Sequence, residues 1–242
     1  MEDYRLSHLE PGKGRSYHRA FTDNPYRAMV WSLEQQVLCN ILASGYVSQP
    51  IRLLDFACGT GRILGFLEGK VSEATGVDIS DSMLDVARKH ISSAEIIKAD
   101  LTRQDVLRDR TFNLITAFRF FANAQPELRR EAMRVLQSHL EPNGCLVFNN
   151  HRNRGNLTDH LTGPIWPIKY HERMGHDEVI ALLEDADMKI VAKYHIGLLP
   201  FIESRPLLPC SWLAPLERCF MSLHSELLCR LSQNIIYVCA RT

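Results

Sequence analysis

Residues 53–63 read Leu53-Leu-Asp-Phe-Ala-Cys-Gly-Thr-Gly-Arg-Ile63, an apolar run that ends in an acid and is followed by small residues. This order predicts a buried strand, a tight turn and the start of a helix. Gly59 and Gly61 suit the turn, because glycine adopts backbone conformations that other residues avoid and lets a ligand approach the backbone. In an open parallel sheet, ligands bind at the carboxyl ends of the strands, beside the point where strand order reverses. The stretch therefore predicts a ligand site at this turn.

Strands and helices alternate along the chain on both sides of this turn. The predicted strands cover residues 51–56, 74–79, 94–99, 112–118, 145–149, 189–195 and 234–240. The predicted helices cover residues 28–43, 62–68, 82–90, 126–140, 178–186 and about 213–231. Strands separated by helices are typical of parallel βαβ units with helices on both faces of the sheet. We therefore expect an α/β fold with a doubly wound, mostly parallel sheet.

The order acid, any residue, small residue, any residue, Gly, any residue, Gly resembles motif I of the class I S-adenosylmethionine-dependent methyltransferases. Ala57 stands where that family usually has glycine, which is a mild departure. A dinucleotide site would instead need GxGxxG, and Leu64 occupies its third glycine position. Further positions agree in order and spacing over roughly residues 50–150. The resemblance implies a Rossmann-like sheet of seven strands whose last strand, at 234–240, runs antiparallel.

The resemblance also implies which residues hold the cofactor. Asp78, at the end of the second strand, is expected to accept hydrogen bonds from the ribose hydroxyls. Asp100 and Leu101 are expected to meet the adenine. The full expected cofactor set is Asp55, Ala57, Cys58, Gly59, Thr60, Gly61, Asp78, Ile79, Met83, Asp100, Leu101, Ala117 and Phe118, with Tyr17 and Arg27 from the N-terminal segment. The implied cofactor is S-adenosylmethionine, with S-adenosylhomocysteine as product and no metal.

Several of these residues also have a purely structural interpretation. Asp55 and Asp78 could cap helices or satisfy turns. Met83 could face the core of its helix rather than the adenine. Asp100 could be an ordinary residue of the turn after its strand. The N-terminal aromatic residues could pack their helix onto the sheet instead of covering the cofactor.

Composition limits the classes of function. The chain has 242 residues, and its 28 Lys and Arg balance its 28 Asp and Glu. A neutral chain lacks the field that draws general nucleic-acid binders onto phosphate, so no nucleic-acid partner is expected. The sequence has no apolar run long enough to cross a membrane and no apolar core near Met1 typical of a secretory signal. Seven cysteines without a CxxC pair favour reduced thiols in a cytoplasmic protein.

We expect one methyltransferase domain over residues 1–242. Residues 1–45 would form an N-terminal lid and helix, 50–150 the cofactor-binding core, and 151–175 a loop on the acceptor side. Residues 197–232 form an apolar, proline-rich helical insertion before the last strand. This insertion could add to the core, line a pocket for an apolar acceptor or form a homodimer surface.

The acceptor is expected to be a small molecule, a sugar or a lipid-linked compound, methylated on a hydroxyl or an amine. The Asp/Asn-Pro-Pro-aromatic motif of nucleic-acid amino-methyltransferases is absent after the fourth strand, where the sequence reads Ala117-Phe-Arg-Phe. His151 is the candidate general base because it directly follows the fifth strand, and Arg119 is the second candidate catalytic residue. A structural role for His151 remains open. His171 and His176 are weaker candidates for the base.

Two other functions compete with this hypothesis. A non-catalytic protein could keep the cofactor pocket for regulation or assembly. A nucleotide-dependent oxidoreductase could use a related sheet, although the glycine spacing disfavours it.

Overall fold

The computed structural model describes residues 4–6, 10, 12–162, 173–199, 201–202, 205–206, 208–223 and 225–242. Within these ranges the chain forms a central sheet with helices on both faces. No helix in the described ranges combines the length and the apolar character needed to cross a membrane.

The N-terminal region contains a short 3-10 helix at Tyr4–Leu6, α1 at Lys13–Thr22 and α2 at Pro25–Ala43. The prediction of a helix at 28–43 is confirmed, and its start lies earlier because Asn24 Oδ1 accepts a 3.1 Å hydrogen bond from the N–H of Arg27. Sequence reasoning missed α1. Its buried residues are Gly14 and Phe21, so it has no apolar stripe. Close backbone packing at Gly14, invisible to hydrophobic periodicity, holds this helix in place.

The middle of the chain alternates as predicted. Its elements are β1 (Arg52–Phe56), α3 (Arg62–Leu67), β2 (Glu73–Asp78), α4 (Asp81–Ala87), β3 (Glu95–Lys98), β4 (Phe112–Ala117), α5 (Pro126–His139) and β5 (Leu140–Asn150). Pro126 begins α5, where its missing N–H has no helical partner to lose. The two largest clusters of buried apolar side chains both include residues of β1 and β4.

The C-terminal region contains α6 (Leu157–Thr162), α7 (His176–Glu184), β6 (Met188–Ile196), β7 (Phe201–Ile202), β8 (Arg205–Pro206), α8 (Cys210–Met221), α9 (Glu226–Leu231) and β9 (Asn234–Arg241). The prediction of one helix over 213–231 is wrong. Two helices occupy this stretch, because Ser225 has extended backbone and its Oγ accepts from the N–H of Leu228, which begins a new helix. Helix α6 and the small β7–β8 hairpin were not predicted.

The main sheet has seven strands in the order β3-β2-β1-β4-β5-β9-β6. Strands β3, β2, β1, β4 and β5 pair in parallel, while β9 runs antiparallel to both β5 and β6. The predicted doubly wound, seven-stranded sheet and its antiparallel last strand are thus confirmed. Strand order reverses between β1 and β4, so the carboxyl ends of these strands flank the expected ligand cleft.

Candidate functional site

A cleft opens at the carboxyl ends of β1, β2 and β4. Its volume is ≈ 940 Å³ with the open solvent at its mouth included, which is in the usual range for small-molecule sites. The predicted residues that line it are Tyr17, Asp55, Ala57, Cys58, Gly59, Thr60, Asp78, Ile79, Met83, Asp100, Leu101, Phe118 and Arg119. Residues that were not predicted also line it, and they include Tyr4, Arg5, Arg62, Thr102 and Phe120. Topology therefore brings most of the predicted set together.

The turn after β1 has an unusual backbone. Ala57, Gly59 and Gly61 adopt φ angles of 52°, 56° and 76°, all in the left-handed region. The position of Ala57 is strained for a residue with a side chain, which explains why glycine is usual there in the family that the turn resembles. A Cβ on Gly59 would come no closer than 3.7 Å to another atom, its nearest neighbour being Cε of Met83. Space for a ligand therefore lies above Gly59.

Gly61 has a different part in the turn. It lies outside the cleft lining, and a Cβ there would come within 3.1–3.2 Å of the side chains of Ala87 and Ile91. Close packing of α3 against the region of α4 therefore accounts for this glycine. Ala117, also in the predicted cofactor set, is fully buried in β4 and is likewise outside the lining.

Asp78 joins the turn to the end of β2. Its Oδ2 accepts a 2.8 Å hydrogen bond from the N–H of Gly59, and its Oδ1 accepts a 2.9 Å bond from the N–H of Ser80. Burial raises the pKa of this carboxyl above its ordinary value, against the lowering effect of those N–H groups. An ionised carboxylate has about four lone-pair positions, so those that the backbone N–H groups leave free are able to accept from the hydroxyls of a diol.

Asp55 is an internal anchor as well as a lining residue. Its Oδ1 accepts from Thr116 Oγ1 at 2.7 Å, and its Oδ2 accepts from the N–H of Leu64 at 3.2 Å. These bonds tie the end of β1 to β4 and to α3. The carboxyl is 1% exposed, and burial raises its pKa to about 7. The alternative that Asp55 satisfies a helix start thus agrees with the hydrogen bonds, although the residue also faces the cleft.

The far end of the cleft contains Asp100, Leu101 and Met83. Asp100 Oδ2 pairs with Nε of Arg5 at 2.8 Å, and its Oδ1 accepts from the N–H and the Oγ1 of Thr102. Arg5 also bonds Thr102 and Glu131, so the short N-terminal helix is fixed across this end of the cleft. Sequence reasoning missed Arg5, because its partners lie about a hundred residues away. Met83 and Leu101 are nearly fully buried.

The cleft lining also includes the aromatic residues Tyr4, Tyr17 and Phe118, together with Arg119. The hydroxyl of Tyr4 donates to the carbonyl oxygen of Arg119 at 3.3 Å, and its ring lies edge-on to Phe120. Tyr17 contacts the ring of Phe21 with the centroids 5.2 Å apart. The N-terminal segment therefore supplies an aromatic wall, formed by Tyr4 and Tyr17, to this cleft.

Arg119 follows β4 with a left-handed backbone, at a φ of 60°. Its N–H donates a 2.7 Å hydrogen bond to Oδ1 of Asn149, which fixes this conformation. Its Nε is buried and has no hydrogen-bond partner in the described part of the chain. Burial lowers the pKa of its guanidinium, and Arg62 and Arg27 lower it further. The side chain is thus held in the cleft without a partner for its Nε.

The other candidate residues lie around the cleft rather than in its lining. His151 follows β5 as predicted, but it is outside the lining and its Nδ1 is buried without a hydrogen-bond partner among the described residues. Burial lowers its pKa well below 6.5, and Arg119 and Arg152 add to that effect. Arg27 is also outside the lining and lies over the ring of Phe21. His176 bonds the hydroxyl of Tyr237 at 3.0 Å, and His171 lies outside the described residues.

Among the described residues, no group of three or more His, Cys, Asp or Glu side chains is arranged to hold a metal ion. The polar groups of the cleft are instead carboxylates, backbone N–H groups and guanidinium groups. Such groups suit an organic ligand that carries hydroxyls, an aromatic base and charges of both signs.

Comparison with known proteins matches the same part of the chain. A family model described as a methyltransferase domain matches residues 53–144. Malonyl-[acyl-carrier protein] O-methyltransferase of Priestia megaterium is 27% identical over 148 residues, which are 58% of this chain and 51% of that protein. Demethylmenaquinone methyltransferase of Thermotoga maritima is 38% identical over 101 residues, 41% of this chain and 43% of that protein. The chain thus spans about half the length of the curated relatives it matches.

Solved structures extend the likeness in fold. Magnesium protoporphyrin IX methyltransferase of Synechocystis PCC 6803, solved with bound S-adenosylhomocysteine, has a TM-score of 0.62 and 13% identity, and the match covers 92% of this chain and 88% of that one. A possible histamine N-methyltransferase of Thermotoga maritima has a TM-score of 0.64 and 14% identity, covering 94% and 95%. At such identities the likeness concerns the fold alone. The domain match, the motif and the strand order together show a methyltransferase domain over residues 53–144, and the chain is similar to the class I S-adenosylmethionine-dependent methyltransferases.

Proposed function

We propose that the chain transfers a methyl group from S-adenosylmethionine to an oxygen or nitrogen atom of a small-molecule, sugar or lipid-linked acceptor. The observation that carries this proposal is the single cleft wall formed by the turn at Gly59, the carboxylate of Asp78 and the side chain of Asp100. The curated relatives include proteins named for a carrier-protein ester, a quinone and amino sugars, so they support methyl transfer without selecting one acceptor.

The residues of the cleft fit S-adenosylmethionine. We propose that the free lone pairs of Asp78 accept from the ribose hydroxyls, and the space above Gly59, where a Cβ would come no closer than 3.7 Å to the side chain of Met83, admits the ligand. Ile79, Met83 and Leu101 offer an apolar slot, with Asp100 at its edge to accept from an amino group. The ring of Tyr17 can face a sulfonium cation, which aromatic rings attract.

S-adenosylmethionine, when bound, would supply an electrophilic methyl group: the electron pair of the sulfur–carbon bond stays on sulfur, which becomes a neutral thioether, and a lone pair of the acceptor forms the new bond to carbon. The chain's own contribution is orientation, because an in-line attack needs the nucleophile about 3 Å from the methyl carbon. We propose that the turn at residues 57–61 and the aromatic wall of Tyr4 and Tyr17 orient the methyl donor. Arg119, whose backbone N–H is held by Asn149, is proposed to orient the acceptor.

A hydroxyl acceptor must also lose a proton, and His151 is the proposed base. Its depressed pKa keeps the imidazole neutral near pH 7, so it is able to accept a proton. The same nearby arginines make it a weak base, because they oppose the imidazolium. We therefore propose that positioning contributes most of the catalysis and that His151 assists with proton removal.

The insertion at 197–232 is proposed to support a homodimer. Leu213 and Cys229 are buried against the body of the domain, whereas Trp212, Leu216 and Leu227 are 66%, 44% and 64% exposed. Exposed apolar side chains on two neighbouring helices are typical of a contact surface. Sedimentation of the wild type and of a Trp212→Ser variant would test this, since a dimer through α8 should weaken in the variant.

The test of the proposed function is ligand specificity. Thermal unfolding is measured with S-adenosylhomocysteine, S-adenosylmethionine and NADH in parallel. At about 100 times its dissociation constant, a ligand adds roughly 2.7 kcal/mol to the stability of the folded state. Stabilisation by the first two ligands alone supports the proposal. Stabilisation by NADH alone would favour the oxidoreductase alternative, and no stabilisation by any of the three would contradict a cofactor site in this cleft.

A further inference from the structure

Three arginine side chains surround one phenylalanine ring beside the cleft. The guanidinium carbons of Arg62, Arg119 and Arg27 lie 4.6 Å, 4.7 Å and 5.4 Å from the centroid of the Phe21 ring. We call Arg27, Arg62 and Arg119 the Phe21 arginine cluster. Arg62 and Arg119 line the cleft, while Arg27 enters from the start of α2. The ring attracts each cation through its negative face but carries no net charge.

The ion pairs of the described residues leave this cluster unbalanced. Glu34, which is fully buried, pairs with Arg62 at 2.8 Å. Neither Arg27 nor Arg119 forms an ion pair with any residue that the structure describes. The buried Nε of Arg119 also lacks a hydrogen-bond partner in these ranges. Of these three guanidinium groups, only that of Arg62 therefore has an ion-pair partner among the described residues, and buried polar groups without partners are rare enough to require an explanation.

The neighbouring histidine does not supply the missing negative charge. His151 is next to the cluster, and its own Nδ1 is buried without a partner among the described residues. The arginines and burial together lower the pKa of His151, which shows that the surroundings are electropositive there. Two orphaned polar atoms, one on Arg119 and one on His151, thus occur in the same electropositive region.

The proposed cofactor does not balance the cluster either. S-adenosylmethionine carries a sulfonium and an ammonium cation but one carboxylate, so its binding adds net positive charge to the cleft. Its single carboxylate supplies one negative charge. A further anion would stabilise the remaining positive charge, because water screens the buried guanidinium of Arg119 only weakly.

We propose that the acceptor carries a carboxylate or phosphate group and that Arg27 and Arg119 bind this group beside the ring of Phe21. The inference rests on the proposed methyl transfer and narrows its acceptor to an anion. Arginine suits this role because its planar fork of N–H groups matches the oxygens of carboxylate and phosphate. Arg62 is excluded from the binding pair because Glu34 already holds it. An uncharged sugar or quinone would leave the cluster unbalanced.

The test titrates the full chain, saturated with S-adenosylhomocysteine, with three small probes. Succinate represents a carboxylate, inorganic phosphate represents a phosphate group, and succinamide is the uncharged control. Calorimetry at constant ionic strength reports the affinity of each probe. We expect saturable binding of at least one anion and none of succinamide, and the anion that binds more tightly identifies the group.

Variants test whether the Phe21 arginine cluster binds the anion. Arg27→Gln and Arg119→Gln should each weaken the anion by roughly tenfold or more, because each removes a charge-assisted hydrogen bond. Arg119→Lys should restore part of the affinity, which separates loss of charge from misfolding. Arg134→Gln, on the exposed face of α5, is the matched control and should bind as the wild type does.

The experiment distinguishes failure of the inference on the acceptor from failure of the proposed function. Binding of S-adenosylhomocysteine is measured first, and the anion titration is carried out both with and without it. If S-adenosylhomocysteine binds but neither anion does, or if both Gln variants bind anion as tightly as the wild type, the inference on the acceptor is overturned while the proposed function stands. If S-adenosylhomocysteine itself does not bind, the proposed function is contradicted.

Discussion

The backbone N–H of Gly59 donates a 2.8 Å hydrogen bond to Oδ2 of Asp78, so one bond joins the turn after β1 to the end of β2. The other carboxylate oxygen accepts from Ser80, at the start of α4. Asp78 therefore holds two loops of the cleft in place before any ligand enters. Because the turn is already arranged, binding does not have to order it, and a ligand loses less free energy on association.

The first prediction concerns the contact between α1 and α4. A Cβ at Gly14 would lie 2.0 Å from the carbonyl oxygen of Ser82, so Gly14→Ala must push α1 away from α4. We expect a loss of about 1–3 kcal/mol in the free energy of unfolding, as for other overpacked contacts. Affinity for S-adenosylhomocysteine should fall about tenfold, since Tyr17 on α1 moves and the proposed contact of its ring with the thioether sulfur would be worth about 1 kcal/mol.

Gly69→Ala is the matched control for this prediction. A Cβ there meets no atom within 4 Å, so the substitution should leave both stability and ligand affinity nearly unchanged. Calorimetric titration and urea unfolding of both variants provide the measurement. Equal ligand affinity in Gly14→Ala and the wild type would show that α1 does not take part in the site.

The second prediction concerns the buried carboxylate of Glu34. Its Oε2 pairs with Arg62, while its Oε1 accepts from the amides of Asn149 and Asn234 at 3.3 Å and 3.0 Å. Glu34→Ala removes all three bonds and leaves a guanidinium inside the fold, so we expect a loss of about 3–5 kcal/mol in the free energy of unfolding. Urea unfolding measures this loss.

The half-exposed pair of Arg52 and Glu141 is the control for Glu34. Glu141→Ala should cost at most about 1 kcal/mol, because solvent screens that pair. Similar losses in the two variants would argue against the buried network as the element that fixes α2 to the sheet.

The third prediction is a pH dependence from Asp55. Burial raises the pKa of Asp55 from 3.8 to about 7 in the folded chain. Between these values the folded state holds a proton that the unfolded chain has released. The stability that this proton contributes is present below about pH 4 and is lost as pH rises to about 7. Stability of the wild type should therefore fall with rising pH relative to Asp55→Asn, by up to about 1.4 kcal/mol per pH unit.

Urea unfolding of the wild type and of Asp55→Asn from pH 4 to pH 8 measures the direction in which the stability difference between them changes with pH. The comparison cancels the contributions of other titrating groups, because both chains share them. Parallel curves for the two chains would mean that Asp55 ionises in the fold as it does in water.

Local sequence signals were sufficient to predict the alternating sheet and most of the cleft. The strands of the core are short apolar runs that end in Asp55, Asp78 and the residues before Asp100, and parallel pairing brings these ends to one edge. That is why the aspartates could be placed at one cleft from their positions alone. The turn at Gly59 was predictable for the same reason, because its glycines follow a strand directly.

The rest of the site depends on contacts that span the chain. Arg5 reaches Asp100, and Glu34 reaches Asn234, over distances in sequence that no local pattern records. Helix α1 lacks an apolar stripe and depends on the close contact at Gly14. His151 was predicted at the cleft edge, yet its position next to several arginines followed only from the folded structure. Tertiary packing, rather than propensity, determines these features.

The most direct test of the central claim is the affinity of the full chain for S-adenosylhomocysteine, measured by calorimetry on the wild type, Asp78→Ala and the surface control Asp85→Ala. Removal of the Asp78 carboxylate takes away the acceptor for the ribose hydroxyls and the bond to Gly59, so binding should weaken by about tenfold to a hundredfold while the chain stays folded. Asp85→Ala should bind as the wild type does, because its carboxylate is exposed and pairs with Arg88 outside the cleft. Unchanged affinity in Asp78→Ala, or no binding to the wild type at saturating ligand, would contradict a cofactor site built on Gly59 and Asp78.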